Sequence, residues 1–247
     1  MDEALYDLTH SQATMHWWYQ GRSAILRRVL GRYLSVDQSV EFLEIGAGAG
    51  VNIPMLKEFG AVSAVEMNAD GRRAISQEHP DVTVRDGALP DAEVFGDQTY
   101  DAVGMFDVLE HIEDDCEALV AVRKHMNAGG KLFLTVPAYQ WMWTRHDDVN
   151  HHYRRYSKAR LSSVMQRAGW KIEQVGYFNT FLFPLAVLAR ARDKFLPGEV
   201  TTGLNTPPGI INGILLALFR AEAGIVAGGG FPFGLSLMAV ATPGESL

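Results

Sequence analysis

A chain of 247 residues, 47% apolar and 21% charged, can bury the core of one large domain. Its net charge of −7 excludes the broad basic footprint of a nucleic-acid binder. The single cysteine, Cys116, excludes an intramolecular disulfide and any multi-cysteine metal centre. The opening Met1-Asp2-Glu3-Ala4 lacks the basic-then-apolar order of a secretion signal, so the expected compartment is the cytoplasm.

In chain order, Ser11–Leu34 reads as one or two helices carrying the aromatic block Met15-His16-Trp17-Trp18-Tyr19. Strand-like runs follow at Val40–Ile45, Ala61–Glu66, Val82–Val84, Tyr100–Phe106 and Lys131–Val136, separated by helical patterns at Val51–Phe59, Asp70–Glu78 and Asp114–Met126. Such alternation predicts an α/β fold: a Rossmann-like, doubly wound, mainly parallel sheet with both faces covered. Two further strands are expected at Lys171–Phe178 and Leu235–Ala241, with helices Phe183–Phe195 and Ile210–Ala223 between them and a loop at Pro197–Gly209. The chain is thus expected to be one domain over 1–247: a helical cap (1–36), a core (37–136) and a second half (137–247) with a helical insertion near 181–233.

No run is expected to span a bilayer, since the candidate Phe181–Ala189 stops at Arg190, short of the ~20 apolar residues required. The insertion helices are expected to be buried first, to meet a hydrophobic acceptor or a second copy in a homodimer second, and to touch a membrane surface third.

The most informative stretch is Val40-Glu41-Phe42-Leu43-Glu44-Ile45-Gly46-Ala47-Gly48-Ala49-Gly50. A strand runs into a glycine turn whose backbone N–H groups can approach a ligand. The spacing is G-x-G-x-G; the dinucleotide fingerprint needs a third glycine where Val51 stands, which speaks against a dinucleotide oxidoreductase. Glu66 ends the second strand, 20 residues after Gly46, and a carboxylate there can accept two neighbouring ribose hydroxyls. Arg85-Asp86-Gly87-Ala88 follows the third strand and is either an adenine-amine acceptor or an ordinary Asp-Gly turn. Phe106-Asp107-Val108-Leu109-Glu110-His111 turns off the fourth strand.

These motifs, with Ala128-Gly129-Gly130-Lys131-Leu132 before the fifth strand, resemble in order the class I S-adenosylmethionine-dependent methyltransferases. The resemblance covers Val40 to Val136. It implies a seven-stranded sheet with an antiparallel last strand and S-adenosyl-L-methionine as methyl donor. It implies that Gly46, Ala47 and Gly48 pass the methionine and ribose, and that Glu44, Phe106, Asp107 and Arg22 serve the methionine end, although Arg22 reads equally well as a surface residue of a helix. Glu66 would take the ribose, and Met67, Asp86, Gly87 and Ala88 the adenine.

His111, His146 and His151 are the expected proton-accepting residues, needed only if the acceptor atom is a hydroxyl or an ammonium. The pattern Asp107-x-x-Glu110-His111 is similar to an E-x-x-E-H found in metal-dependent members of the superfamily, but the first acid here is the shorter Asp, and no metal is expected. The block Trp141–Tyr156 holds three of the eight histidines. Its Trp143, His152, Tyr153, Arg154 and Arg155 are candidate acceptor contacts, the arginines as an anion clamp; the alternative is a loop stitched to the domain by its own pairs. From His151 to Leu237 the chain also looks like a bacterial methyltransferase subgroup, some of whose members accompany sugar- or lipid-modifying enzymes, which suggests a polar, anionic or lipid-linked acceptor without identifying one. The expected activity is methyl transfer to an oxygen or nitrogen of a small, sugar-linked or lipid-linked metabolite. The alternatives are a catalytically silent donor-binding module and a metal-assisted O-methyltransferase of the quinone-precursor type.

Overall fold

The computed structural model describes residues 15–35, 40–195 and 206–244. Most of the expected Pro197–Gly209 loop and the start of Ser11–Leu34 lie outside them. Helix α1 (Trp17–Tyr33) precedes strand β1 (Val40–Ile45). Then come α2 (Ile53–Leu56), β2 (Gly60–Val65), α3 (Ala69–Glu78), β3 (Thr83–Arg85), β4 (Tyr100–Phe106), α4 (Asp115–Lys124) and β5 (Met126–Pro137). The second half adds α5 (Arg145–Val149), α6 (Lys158–Arg167), β6 (Trp170–Phe178), α7 (Phe183–Phe195), α8 (Gly209–Ala221), α9 (Ala223–Ala227) and β7 (Ser236–Pro243).

The strands form one sheet in the order β3-β2-β1-β4-β5-β7-β6. β1 pairs in parallel with β2 and β4, and β7 runs antiparallel between β5 and β6. The seven strands and the antiparallel last one are as the resemblance implies. Connections leave β1 and β4 in opposite directions along the sheet, so a crevice opens beyond their carboxyl ends.

Side-chain alternation divides the core. Leu43, Ile45, Val103, Met105, Leu132 and Leu134 face α4 and α6, represented by Leu119, Val122, Leu161 and Met165. Phe42, Ala102, Phe106, Phe133, Met238 and Val240 face the other way, against Ile25 and Val29 of α1, Ile53 of α2 and Phe219 of α8. Helix starts follow their caps: Asn68 accepts from Asp70 N and Gly71 N, Asp114 from Glu117 N, and Ser157 from Arg160 N, each satisfying a donor that the first turn leaves free.

Two helices differ from expectation. The helix expected over Val51–Phe59 shrinks to Ile53–Leu56, because Pro54 confines its start and Gly60 already pairs with Val40. The helix expected over Ile210–Ala223 breaks at Glu222, whose Oε1 accepts from Thr180 N and Phe181 N at 2.7 Å each. Gly209–Ala227, 19 residues of mean hydropathy 1.7, is long and apolar enough to cross a membrane by length and composition alone, which the sequence reading missed. Here it docks on the domain through Phe219, Glu222 and Val226, all fully buried, and the Phe219 ring lies parallel to that of Phe178.

Candidate functional site

The crevice is built around the turn after β1. Gly46 and Gly48 have φ of 70° and 58°, the left-handed region where a side chain is strained. At Gly46 a Cβ would also stand 2.6 Å from Val108 Cγ2, whereas beside Gly48 nothing lies within 4 Å, leaving an open cradle over the backbone. Val65 O accepts from Gly46 N and Ala47 N, which pins the turn to β2. Glu66, just past the end of β2, is buried and accepts from Gly48 N at 2.7 Å and Asn68 N at 2.8 Å. Burial raises its carboxyl above the usual range despite those bonds.

Glu44 is buried at the end of β1, with Oε1 accepting from Asn52 Nδ2 at 2.7 Å and Oε2 without a partner. Burial pushes its carboxyl up to about 7, against the lowering pull of the Asn52 bond and of the Arg22 charge. Arg22 lies within α1 but is buried against the sheet: Nη2 is 2.6 Å from Asp107 Oδ2 and donates to Thr135 Oγ1 at 3.2 Å. The guanidinium sits 4.9 Å from the Trp18 ring and 5.9 Å from that of Phe106. Asp107 takes φ 58° and accepts from Thr135 Oγ1 at 3.2 Å.

Six buried side-chain polar atoms lack a partner among the described residues, and three belong to this region: Arg22 Nε, Glu44 Oε2 and Glu110 Oε2. Buried groups are ordinarily satisfied, so three orphans at one crevice indicate a ligand site. On the adenine side expected from the sequence, Met67 is 70% exposed, and Asp86 pairs with Arg72 at 2.7 Å while remaining open to solvent. Gly87 and Ala88 follow Asp86, and Val94 crowds the place of a Gly87 Cβ.

The block after β5 is organised by Asp147, which is fully buried. Its Oδ1 meets Arg155 Nε at 2.7 Å and His152 Nδ1 at 2.9 Å, and its Oδ2 accepts from Thr144 N at 2.8 Å. Burial alone would raise this carboxyl; the His152 and Arg155 bonds hold it well below the usual range. Arg154 donates to Ile112 O and Glu113 O and lies 3.2 Å from Asp115, while Arg155 also reaches Ala138 O. The expected anion clamp is therefore corrected: both guanidiniums are buried and spent on internal acceptors that stitch the block to the sheet. Trp143 Nε1 donates to Asp148 Oδ1 at 2.8 Å, and Tyr153 N donates to Glu110 O at 2.8 Å with its side chain exposed.

Of the three candidate bases, only His111 joins a cluster. Its ring meets that of His152 edge-on at 4.5 Å, and ligand atoms of Glu110, His111 and His152 lie within 4.8 Å of one another. Loss of water around the ring, then the neighbouring His152, pull His111 below its ordinary value. His146 and His151 are exposed and lie outside this trio. Asn52, Asn68, Thr135, Trp18 and Asp147 are site-building residues that the sequence reading missed. Thr144-x-x-Asp147 is a capping-box spacing that could have revealed the last of them.

An aromatic rim lies at the same sheet edge. Tyr139, just after β5, stacks on Tyr177 of β6 at 5.2 Å and contacts Trp141 and Phe183, and Phe183 contacts Phe233. Trp141, Phe181, Phe233, Leu185 and Leu188 are all exposed.

A family model described as a methyltransferase domain matches residues 13–175, well over half of the chain. No curated protein matches the sequence. Solved structures with the same fold include the methyltransferase in complex with the Trm112 methyltransferase activator of Haloferax volcanii, at 14% identity and TM-score 0.61, covering 99% of this chain and 95% of that one. An S-adenosylmethionine-dependent methyltransferase from Clostridium acetobutylicum aligns at 10% identity and TM-score 0.57, covering 92% of each chain. One from Archaeoglobus fulgidus aligns at 14% and 0.55, covering 89% of this chain and 93% of that one.

Proposed function

The chain belongs to this family of methyltransferase domains and draws on S-adenosyl-L-methionine, and we propose that it methylates an oxygen or nitrogen of a small metabolite with an apolar or lipid-linked part. Bound in the crevice, the donor supplies a methyl group already activated on a sulfonium. The chain's own residues fit it. Glu44 Oε2 and Arg22 Nε are buried and unpartnered, which suits the ammonium and carboxylate of a methionine. Glu66, with each oxygen holding one backbone N–H, retains lone pairs for ribose hydroxyls. Asp107, Arg22 and Thr135 are locked together, so the wall at that end is preorganised. The protein's task is then to align the acceptor atom and exclude water.

The observation that carries the acceptor class is the exposed aromatic rim of Trp141 and Phe233, linked through Phe183, beyond the carboxyl ends of β5 and β6 on the sheet edge that also bears the donor turn. Contiguous exposed apolar surface marks a binding site. The test is a screen for S-adenosylhomocysteine release over paired acceptors that differ only in an apolar tail. Tailed acceptors should turn over at lower KM, and Trp141→Ala should raise their KM with kcat little changed. Equal KM values for tailed and tail-free acceptors would refute the reading.

A further inference from the structure

We propose that the outward face of α8 and α9 docks on a lipid bilayer, seated in its interfacial zone without crossing it. The inward face of this helix pair is engaged with the domain. Phe219 and Val226 are fully buried, and Glu222 holds Thr180 N and Phe181 N. Asn212 accepts from Trp17 N and donates to Met15 O, at 2.9 Å each. Gly21 of α1 lies so close to Phe219 that a Cβ there would stand 2.4 Å from the ring. These ties fix which side of the helix points away from the domain.

That side is apolar throughout. Ile210 is 82% exposed, and Ile211, Ile214, Leu218 and Ile225 are exposed with it. Among the exposed residues from Gly209 to Ile225, Arg220 alone is charged, and the rest are isoleucine, leucine, alanine or glycine. Arg220 stands at the border, where it donates to Gln20 of α1. A Cβ at Gly209, Gly213 or Gly224 would meet nothing within 4 Å, so none of the described residues covers those positions. Exposed Met15, at the Asn212 tie, and exposed Phe181, at the Glu222 tie, extend the surface at the two ends of α8.

Two observations select lipid over a second protein. A helix apolar on all sides belongs where both sides leave water, and this segment has a mean hydropathy of 1.7 over 19 residues, in the range of membrane segments. The outward face also offers no hydrogen-bonding side chain except Arg220, whereas protein interfaces make about one hydrogen bond per 100–200 Å². The net charge of −7 gives no general attraction to anionic headgroups, so apolar area drives the docking. That an acceptor's apolar part would be met at the membrane rests on the function proposed above; the docking itself rests on this surface.

The test is flotation of the full-length, tag-free protein with acceptor-free phosphatidylcholine vesicles on a density gradient. Wild type should rise with the vesicles equally at low and high salt, and no better when anionic phosphatidylglycerol is added. The double variant Ile210→Glu, Ile214→Glu should bind at least about tenfold more weakly. Glutamate is a better helix former than isoleucine, so the thermal melt and the affinity for S-adenosylhomocysteine should not change. Ile225→Glu, beyond the Glu222 break, is a second variant and should weaken binding by a smaller factor. Wild type that stays in the soluble fraction, or folded variants that float as well as wild type, would overturn the inference. Binding that needs anionic lipid and vanishes in salt would overturn its apolar basis. A wild-type dimer in sedimentation that the double variant splits, with no flotation, would assign the face to a second copy and overturn it too. Flotation without any preference for tailed acceptors supports the docking and sinks the acceptor reading alone; that preference without flotation does the reverse.

Discussion

Glu44→Gln is the substitution whose effect can be worked furthest from the structure. Glu44 is 1% exposed, holds one hydrogen bond and leaves one oxygen unpaired, and its carboxyl stands at about 7 against 4.5 for a free one. The folded-state pKa is raised, so the neutral carboxyl costs nothing below pH 4. As pH climbs from 4.5 to 7 the unfolded chain ionises while the folded chain does not, and stability is lost through that window, levelling off above it. Between pH 5 and pH 8 this linkage amounts to about 2–3 kcal/mol. Glutamine has no such titration and can still accept from Asn52. Urea denaturation of both proteins at the two pH values isolates the residue by difference. The gain of Glu44→Gln over wild type should be about 2–3 kcal/mol larger at pH 8 than at pH 5, roughly 5–10 °C in Tm for a domain of this size. Saturating S-adenosylhomocysteine should shrink the difference, since its ammonium would give Oε2 a partner. A gain that does not change with pH would refute the claim that burial holds the Glu44 carboxyl protonated when no donor is added.

Glu66→Ala strips the acceptor from Gly48 N and Asn68 N; donor binding by calorimetry should weaken by about 10- to 100-fold, far more than for His111→Ala, and equal effects would undermine the ribose assignment. Asp147→Asn leaves Arg155 and His152 facing an uncharged amide in a fully buried site; it should cost about 3 kcal/mol in chemical denaturation, and a neutral result would mean the block is not organised by that carboxylate. Gly21→Ala places a Cβ 2.4 Å from Phe219 Cδ1, so α1 and α8 must part or the ring must turn, at about 1–3 kcal/mol; unchanged Tm would show that the helices are not closely packed.

The parallel core was legible because its signals are local. Val40–Ile45 and Tyr100–Phe106 are apolar runs bounded by turn residues, and both strands end as expected. The donor turn was legible for the same reason, since glycine spacing and the acid twenty residues on are read along the chain. What was hidden depends on partners far apart in sequence. Arg22 read equally well as a surface residue of a helix; only the packing of α1 on the sheet brings it to Asp107 and Thr135. Arg154 and Arg155 carried the composition of an anion clamp, and the buried acceptors that consume them, Ile112 O, Glu113 O and Asp147, became visible only once the block was folded over the sheet edge. The convergence of His152 on Glu110 and His111 likewise joins segments on either side of β5.

The central claim is that the crevice at Gly46–Gly48, flanked by Glu44, Glu66 and Arg22, receives the methyl donor in a fixed orientation. A crystal structure with S-adenosylhomocysteine tests it most directly. The amino-acid end should lie against Glu44 Oε2 and Arg22, and the ribose hydroxyls on Glu66. Density for the ligand in the reverse orientation, or elsewhere on the sheet edge with Glu44 Oε2 still unpartnered, would contradict it.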